Sequence, residues 1–175
     1  QLPPKRHDRQ PKLRRLPLTA SGRRCTRASG EGGPGRVLAV DFGTRRLGFA
    51  VCDELGVTCR PLETWTRRDW SRDLARIRHH LESLEIERVV VGLPTMLDGT
   101  SSVATARAAD FADALRVEVD VPVDTWDEAL TSWAADERMA DDGVPRAKQK
   151  AMRDAYAALV LLEDYLAAAR GATTT

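Results

Sequence analysis

Nowhere in the 175 residues does an apolar run approach the ~18 residues that a membrane-spanning helix needs. The segment before Gly35 also lacks an uninterrupted apolar stretch, which argues against a secretory signal peptide. Cysteine is scarce. Cys25, Cys52 and Cys59 are odd in number and show no Cys-x-x-Cys spacing, fitting neither a disulfide framework nor a zinc site. A reducing cytoplasm is the simple inference. The length suffices for one ordinary domain with a real core and is too short for two large lobes.

Acidic residues are nearly missing from the beginning of the chain. Residues 1–35 carry nine Lys/Arg against Asp8 and Glu31, a balance of +7, while the remaining 140 residues carry 18 basic and 24 acidic residues, a balance of −6. Pro3, Pro4, Pro11 and Pro17, with Gly30, Gly32, Gly33 and Gly35, leave no helical or strand period there. This composition predicts a basic disordered extension over residues 1–35. Such an extension can hold nucleic acid through phosphate contacts, resemble a transit peptide in composition, or be a solvated segment upstream of the natural start.

What is present from Gly35 onward is readable as alternating elements. Val37 to Val40, Leu47 to Cys52 and Val57 to Trp65 read as three strands of an antiparallel meander. Trp70, Leu74, Ile77, Leu81 and Leu84 form a helical stripe, and Val89 to Leu93 reads as a strand covered on both faces and ending at Pro94. Ser101 to Leu115 reads as a helix capped by Ser101 or Ser102. Val121 to Trp126 reads as an edge strand because of Pro122, and two helices follow over Leu130 to Met139 and Lys148 to Ala169. The order predicts an α/β fold, a mixed sheet of about five strands with helices on both faces, over residues 36–170, with 171–175 as a disordered tail.

Three carboxylates stand out against this framework. Asp41 lies between Val40 and Phe42 at the end of an apolar strand, where an ionised acid needs a cation or a hydrogen-bonding partner. Glu128 lies just beyond the Val121 to Trp126 strand, at the carboxyl end where open α/β sheets bind ligands. Asp154 borders the stripe Ala155, Leu159, Leu162 and Leu166, and the small Ala157 and Ala158 would let that helix approach a strand closely. Taken singly, these acids also fit a hairpin turn with Gly43, a helix-start acid and a solvated helix acid. Taken together, they form the oxygen ligand set of a hard cation such as Mg²⁺ or Mn²⁺. Two such ions about 4 Å apart can activate water and stabilise the leaving oxygen in phosphodiester cleavage.

Four segments carry a family resemblance: Val40-Asp41-Phe42-Gly43-Thr44-Arg45-Arg46-Leu47-Gly48, Val91-Gly92-Leu93-Pro94 with Asp98-Gly99, Asp127-Glu128-Ala129-Leu130-Thr131-Ser132, and Asp154-Ala155-Tyr156-Ala157-Ala158. In order and type they resemble the motifs of the YqgF/RuvX family. The resemblance implies a ribonuclease H-like fold. It also implies a bacterial cytoplasmic nuclease of pre-16S ribosomal RNA 5′ ends, in a family first labelled as Holliday junction resolvases, with Asp41, Glu128 and Asp154 as catalytic metal ligands. The family usually has Asp-Glu-Arg where this chain has Asp127-Glu128-Ala129, so one cation beside the expected catalytic glutamate is missing.

Arg45, Arg46, Lys148, Lys150 and Arg153 are candidates for a nucleic-acid-binding rim, the partner being RNA or branched DNA. The loop from Gly92 to Gly99 offers backbone N–H groups to a phosphate. His79 and His80 receive no chemical role. Asp41 to Gly48 also resembles the first phosphate loop of actin-like ATPases and sugar kinases, which need a second lobe. A non-catalytic nucleic-acid-binding module is the remaining alternative.

Overall fold

The computed structural model describes residues 34–94, 102–128 and 131–172, without the side chains of 128, 131, 132 and 172. The expected basic extension, apart from Pro34 and Gly35, lies outside the described residues, as do Asp98, Gly99, Ala129 and residues 173–175. Nine elements follow in chain order: β1 (Val37–Phe42), β2 (Arg46–Cys52), β3 (Cys59–Thr66), α1 (Trp70–Ser83), β4 (Arg88–Pro94), α2 (Val103–Glu118), β5 (Val123–Glu128), α3 (Thr131–Asp141) and α4 (Arg146–Ala172). No helix among the described residues is long and apolar enough to cross a membrane.

The strands form a single sheet in the order β3-β2-β1-β4-β5. β1, β2 and β3 are antiparallel neighbours, whereas β1–β4 and β4–β5 are parallel. The two parallel pairs are joined through α1 and α2, as parallel connections require. Period-two alternation divides the strand residues between two cores. Val37, Ala39, Ala50, Cys52 and Val90 face α3 and α4, while Leu38, Val40, Leu47, Phe49, Val51, Val89 and Val91 face α1 and α2.

Several boundaries move for local reasons. The third strand begins at Cys59 rather than Val57, because the Asp53 carboxylate accepts the Val57 and Thr58 N–H groups at 2.9 and 3.1 Å and turns the chain there. Ser102 caps α2 in a reciprocal capping box with Thr105, whose hydroxyl also donates to the Pro94 carbonyl and fastens the helix start to the end of β4. The last helix buries more than a narrow stripe. Tyr156, Ala157, Ala158 and Leu161 join the expected Ala155, Leu159, Leu162 and Leu166, since Ala135 and Met139 of α3 share their core.

The placement of α4 controls the geometry of the acids. At one sheet edge Ala155 N–H donates to Thr64 Oγ1 of β3 at 3.3 Å, and at the other Tyr165 O–H donates to Asp124 Oδ2 of β5 at 2.7 Å. At the first of these anchors the helix backbone also reaches Gly48 of β2. A Cβ at position 48 would meet the Asp154 carbonyl oxygen at 1.8 Å and its carbon at 2.2 Å. The glycine on the strand, beyond the small alanines on the helix, thus permits the close approach.

Gly48→Ala should consequently lift α4 from the sheet and destabilise the domain by at least ~2 kcal/mol, because backbone atoms cannot rotate out of the way. Urea unfolding of the variant beside the wild type reads this directly. An unchanged midpoint would show that the contact imposes no constraint.

Candidate active site

Asp41 occupies the α4 face of β1 and stands opposite Gly48 in the antiparallel register. Gly48 in turn stands opposite Thr64 on β3. This row of Asp41, Gly48 and Thr64 passes beneath the Asp154–Ala155 segment of α4. Two acids separated by more than a hundred positions in the chain are thereby brought together.

The electrostatics register their proximity. Asp41 has its pKa raised to about 7, chiefly by burial and then by the Asp154 charge, with Arg46 partly offsetting both. Arg46 Nε lies 2.6 Å from Asp154 Oδ2, with the arginine side chain 44% exposed and the aspartate 19%. The angles of this contact are not those of a hydrogen bond. Asp154 Oδ2 is buried and has no hydrogen-bond partner among the described residues. A buried carboxylate oxygen that meets one arginine but accepts no hydrogen bond, beside a second carboxylate whose ionisation is suppressed, fits a site for a cation.

Glu128 enters through the backbone register. It pairs with Pro94 at the carboxyl end of β5, and the alternation that puts Trp126 on the α4 face assigns position 128 to the same face. Val40 pairs with Val91 and Gly92 with Trp126, so position 128 lies at the same end of the sheet as Asp41. Its side chain lies outside the described residues. Among the described residues no group of three His, Cys, Asp or Glu side chains could hold a metal ion, so the described part of the site is the Asp41–Asp154 pair.

The expected basic rim divides into two kinds of residue. Arg46 is engaged with Asp154, and Arg153 forms a two-point ion pair with Asp136 of α3 at 3.0 and 2.7 Å. Arg45, Lys148 and Lys150 are exposed. Sequence reasoning also missed a supporting residue, Arg67. Its guanidinium donates to Asp73 Oδ2 at 2.8 Å and to the Gly43 carbonyl at 3.1 Å, and lies 4.6 Å from the Phe42 ring centre. Asp73 is 1% exposed and also accepts from Trp65 Nε1 at 3.1 Å. Arg67 therefore clamps the turn that follows Asp41 to α1. An acid in the first turn of α1, between Trp70 and Leu74 of the apolar stripe, was the available signal.

His80, given no role from sequence, is a buried core histidine with Nε2 2.8 Å from Glu63 Oε1. Burial pushes its pKa down, against the pull of Glu63.

The sheet order, its mixed pairing and the acid pair under the last helix define the ribonuclease H-like class. T. thermophilus RuvC in complex with a Holliday junction substrate shares the fold with a TM-score of 0.51 at 20% identity, covering 78% of this chain and 96% of that one. The fowlpox virus Holliday junction resolvase does so at a TM-score of 0.50 and 13% identity, covering 76% and 99%. Residues 35–168 match the family described as "RuvX: Holliday junction resolvase", and the chain belongs to that family. A relative from Syntrophus aciditrophicus is 38% identical over 131 residues, covering 75% of this chain and 87% of its own length. Another from Koribacter versatilis is 41% identical over 132 residues, covering 75% and 86%. Both carry the name "Putative pre-16S rRNA nuclease".

The raised pKa of Asp41 has a definite thermodynamic sign. Between its ordinary value of 3.8 and about 7, the folded chain holds a proton that the unfolded chain releases, so this contribution is complete at low pH and disappears as pH rises through 7. In metal-free buffer at pH about 8, Asp41→Asn should be more stable than wild type by on the order of 2–4 kcal/mol, and the gap should close toward pH about 4. Urea titrations across that range with a chelator present measure the gap. Parallel pH profiles for the two proteins would place Asp41 in the ordinary carboxylate range.

Proposed function

We propose that this chain is a divalent-metal-dependent nuclease that hydrolyses phosphodiester bonds in the cytoplasm, with pre-16S ribosomal RNA as its substrate and 5′-end maturation as its task. The observation that carries the reading is the Asp41–Asp154 pair, whose buried Asp154 Oδ2 meets Arg46 but accepts no hydrogen bond among the described residues. Family membership and the names of the relatives supply the substrate class.

In this reading Asp41, Glu128 and Asp154 hold Mg²⁺ or Mn²⁺. The bound ions supply an activated water and charge stabilisation at the leaving oxygen. Asp41 gives up the proton that its burial favours, becoming an anionic ligand on a central strand. Asp154 presents its carboxylate, paired with Arg46, from a helix fixed at both sheet edges. Arg46 offsets part of the negative charge that these acids concentrate and lies where the substrate's phosphate backbone arrives. The exposed Arg45, Lys148 and Lys150 are, in this reading, further cations available to the nucleic-acid backbone. Arg67 contributes indirectly, by holding the turn after Asp41 against α1 and α2.

Branched DNA is the alternative substrate, because the matching family is described as a Holliday junction resolvase. Cleavage of a labelled pre-16S fragment and of a synthetic four-way junction under the same magnesium concentration separates the two. Asp41→Asn, Asp154→Asn and Glu128→Gln should each lower the rate on the true substrate by on the order of 10²–10⁴. Wild-type rates from the aspartate variants would remove the metal-ligand assignment. Folded wild-type protein that binds either substrate without cleaving it would favour a non-catalytic binding module.

A role in substrate binding is proposed for the extension as well, from its +7 balance beside a −6 domain. Deleting residues 1–35 should weaken RNA binding about equally for all sequences and flatten the slope of log affinity against log salt. An identical slope with and without the segment would exclude it from the phosphate contacts.

A further inference from the structure

Two of the cysteines that fit no disulfide framework in sequence face each other across the β2–β3 ladder. Cys52 and Cys59 are direct register partners at the turn end of the hairpin. The next residues toward the turn are joined by a hydrogen bond from Asp53 N–H to the Thr58 carbonyl at 2.9 Å. Hydrogen-bonded and non-hydrogen-bonded pairs alternate in an antiparallel ladder, so Cys52–Cys59 is a non-hydrogen-bonded pair. Such pairs bring Cα atoms to about 4.5 Å and point both side chains to the same face. A disulfide accepts Cα separations of about 4.4–6.8 Å.

We propose that Cys52 and Cys59 are a site of reversible oxidation, closing an intramolecular cross-strand disulfide by exchange with a low-molecular-weight disulfide such as glutathione disulfide. The Cys59 thiolate attacks one sulfur of the reagent and releases the first glutathione thiolate. Cys52, after losing its proton to solvent, attacks the mixed disulfide at the Cys59 sulfur and expels the second. The protein loses two electrons and two protons, and glutathione disulfide becomes two glutathione thiols. Cys59 is the entry point because it is half-buried on an edge strand, whereas Cys52 is 3% exposed.

The surroundings make this exchange slow at neutral pH. Burial is the main cause that lifts the Cys59 thiol to about 11, with Cys52, Glu163 of α4 and Asp53 of the hairpin acting in the same direction and Arg170 of α4 opposing them. Burial also raises Cys52, against a hydrogen bond from the Val37 N–H at 3.2 Å. The exchange should therefore accelerate by roughly tenfold per pH unit through the alkaline range, as thiolate becomes available. The resulting staple would close a short loop at the far end of β2 from Gly48.

The test uses the full chain carrying Cys25→Ser, incubated with glutathione disulfide at mildly alkaline pH. The expected product is a monomer that has lost two hydrogens by intact mass, yields a peptide linked through positions 52 and 59, and melts about 5 °C or more higher until dithiothreitol is added. Cys59→Ser in the same background should give no such product. A second arm removes access as a limit, by refolding the chain from urea in a glutathione redox buffer. Free thiols, stable glutathione adducts or cross-links between chains after that arm would overturn the proposal.

Discussion

The seating of one helix backbone on one glycine is the constraint from which the rest of the site follows. The Asp154 carbonyl occupies the space that any side chain at position 48 would need. That contact fixes how deeply α4 lies on the sheet, and the bonds to Thr64 and Asp124 fix its direction. With depth and direction set, the Asp154 side chain has little choice but to share the surface of β1 with Asp41. A helix anchored only by its leucines could slide or roll among similar apolar holes. A polar backbone atom pressed against a strand removes that freedom.

The arrangement stores like charge in a place that disfavours it. Asp41 resists ionisation, and Arg46 only partly relieves the pair. Such mutual repulsion is costly in a structural ion-pair network and useful where a small cation is to be gripped. The contrast with Asp73 is instructive. That acid is more deeply buried, yet it is satisfied by Trp65 and Arg67 and serves to brace the turn rather than to bind a ligand.

The element order and the two-faced sheet were legible because they rest on local patterns: short apolar runs at Val37–Val40, Leu47–Cys52 and Val89–Leu93, and a helical stripe from Trp70 to Leu84. Asp41 and Asp154 were legible as candidates from their positions at the border of apolar segments. Their meeting depended on which small residue made room, and there the alanines of α4 drew attention away from Gly48. The engagement of Arg46 and Arg153 in ion pairs was hidden for a related reason. Whether a surface arginine is available depends on an acid elsewhere in the chain, such as Asp136, and no local pattern encodes that pairing. The cysteine register, though local, depended on where the strand begins, and the Asp53 carboxylate moves that start from Val57 to Cys59.

The clamp made by Arg67 bears on how the site would meet a ligand. By tying Gly43 to α1 and lying over Phe42 and Phe111, it immobilises the segment between the first two strands before anything is bound. The conformational entropy of that segment is then lost during folding and does not subtract from the association free energy. On the proposed reading, an ion arriving at Asp41 would accordingly meet a backbone that needs little reorganisation.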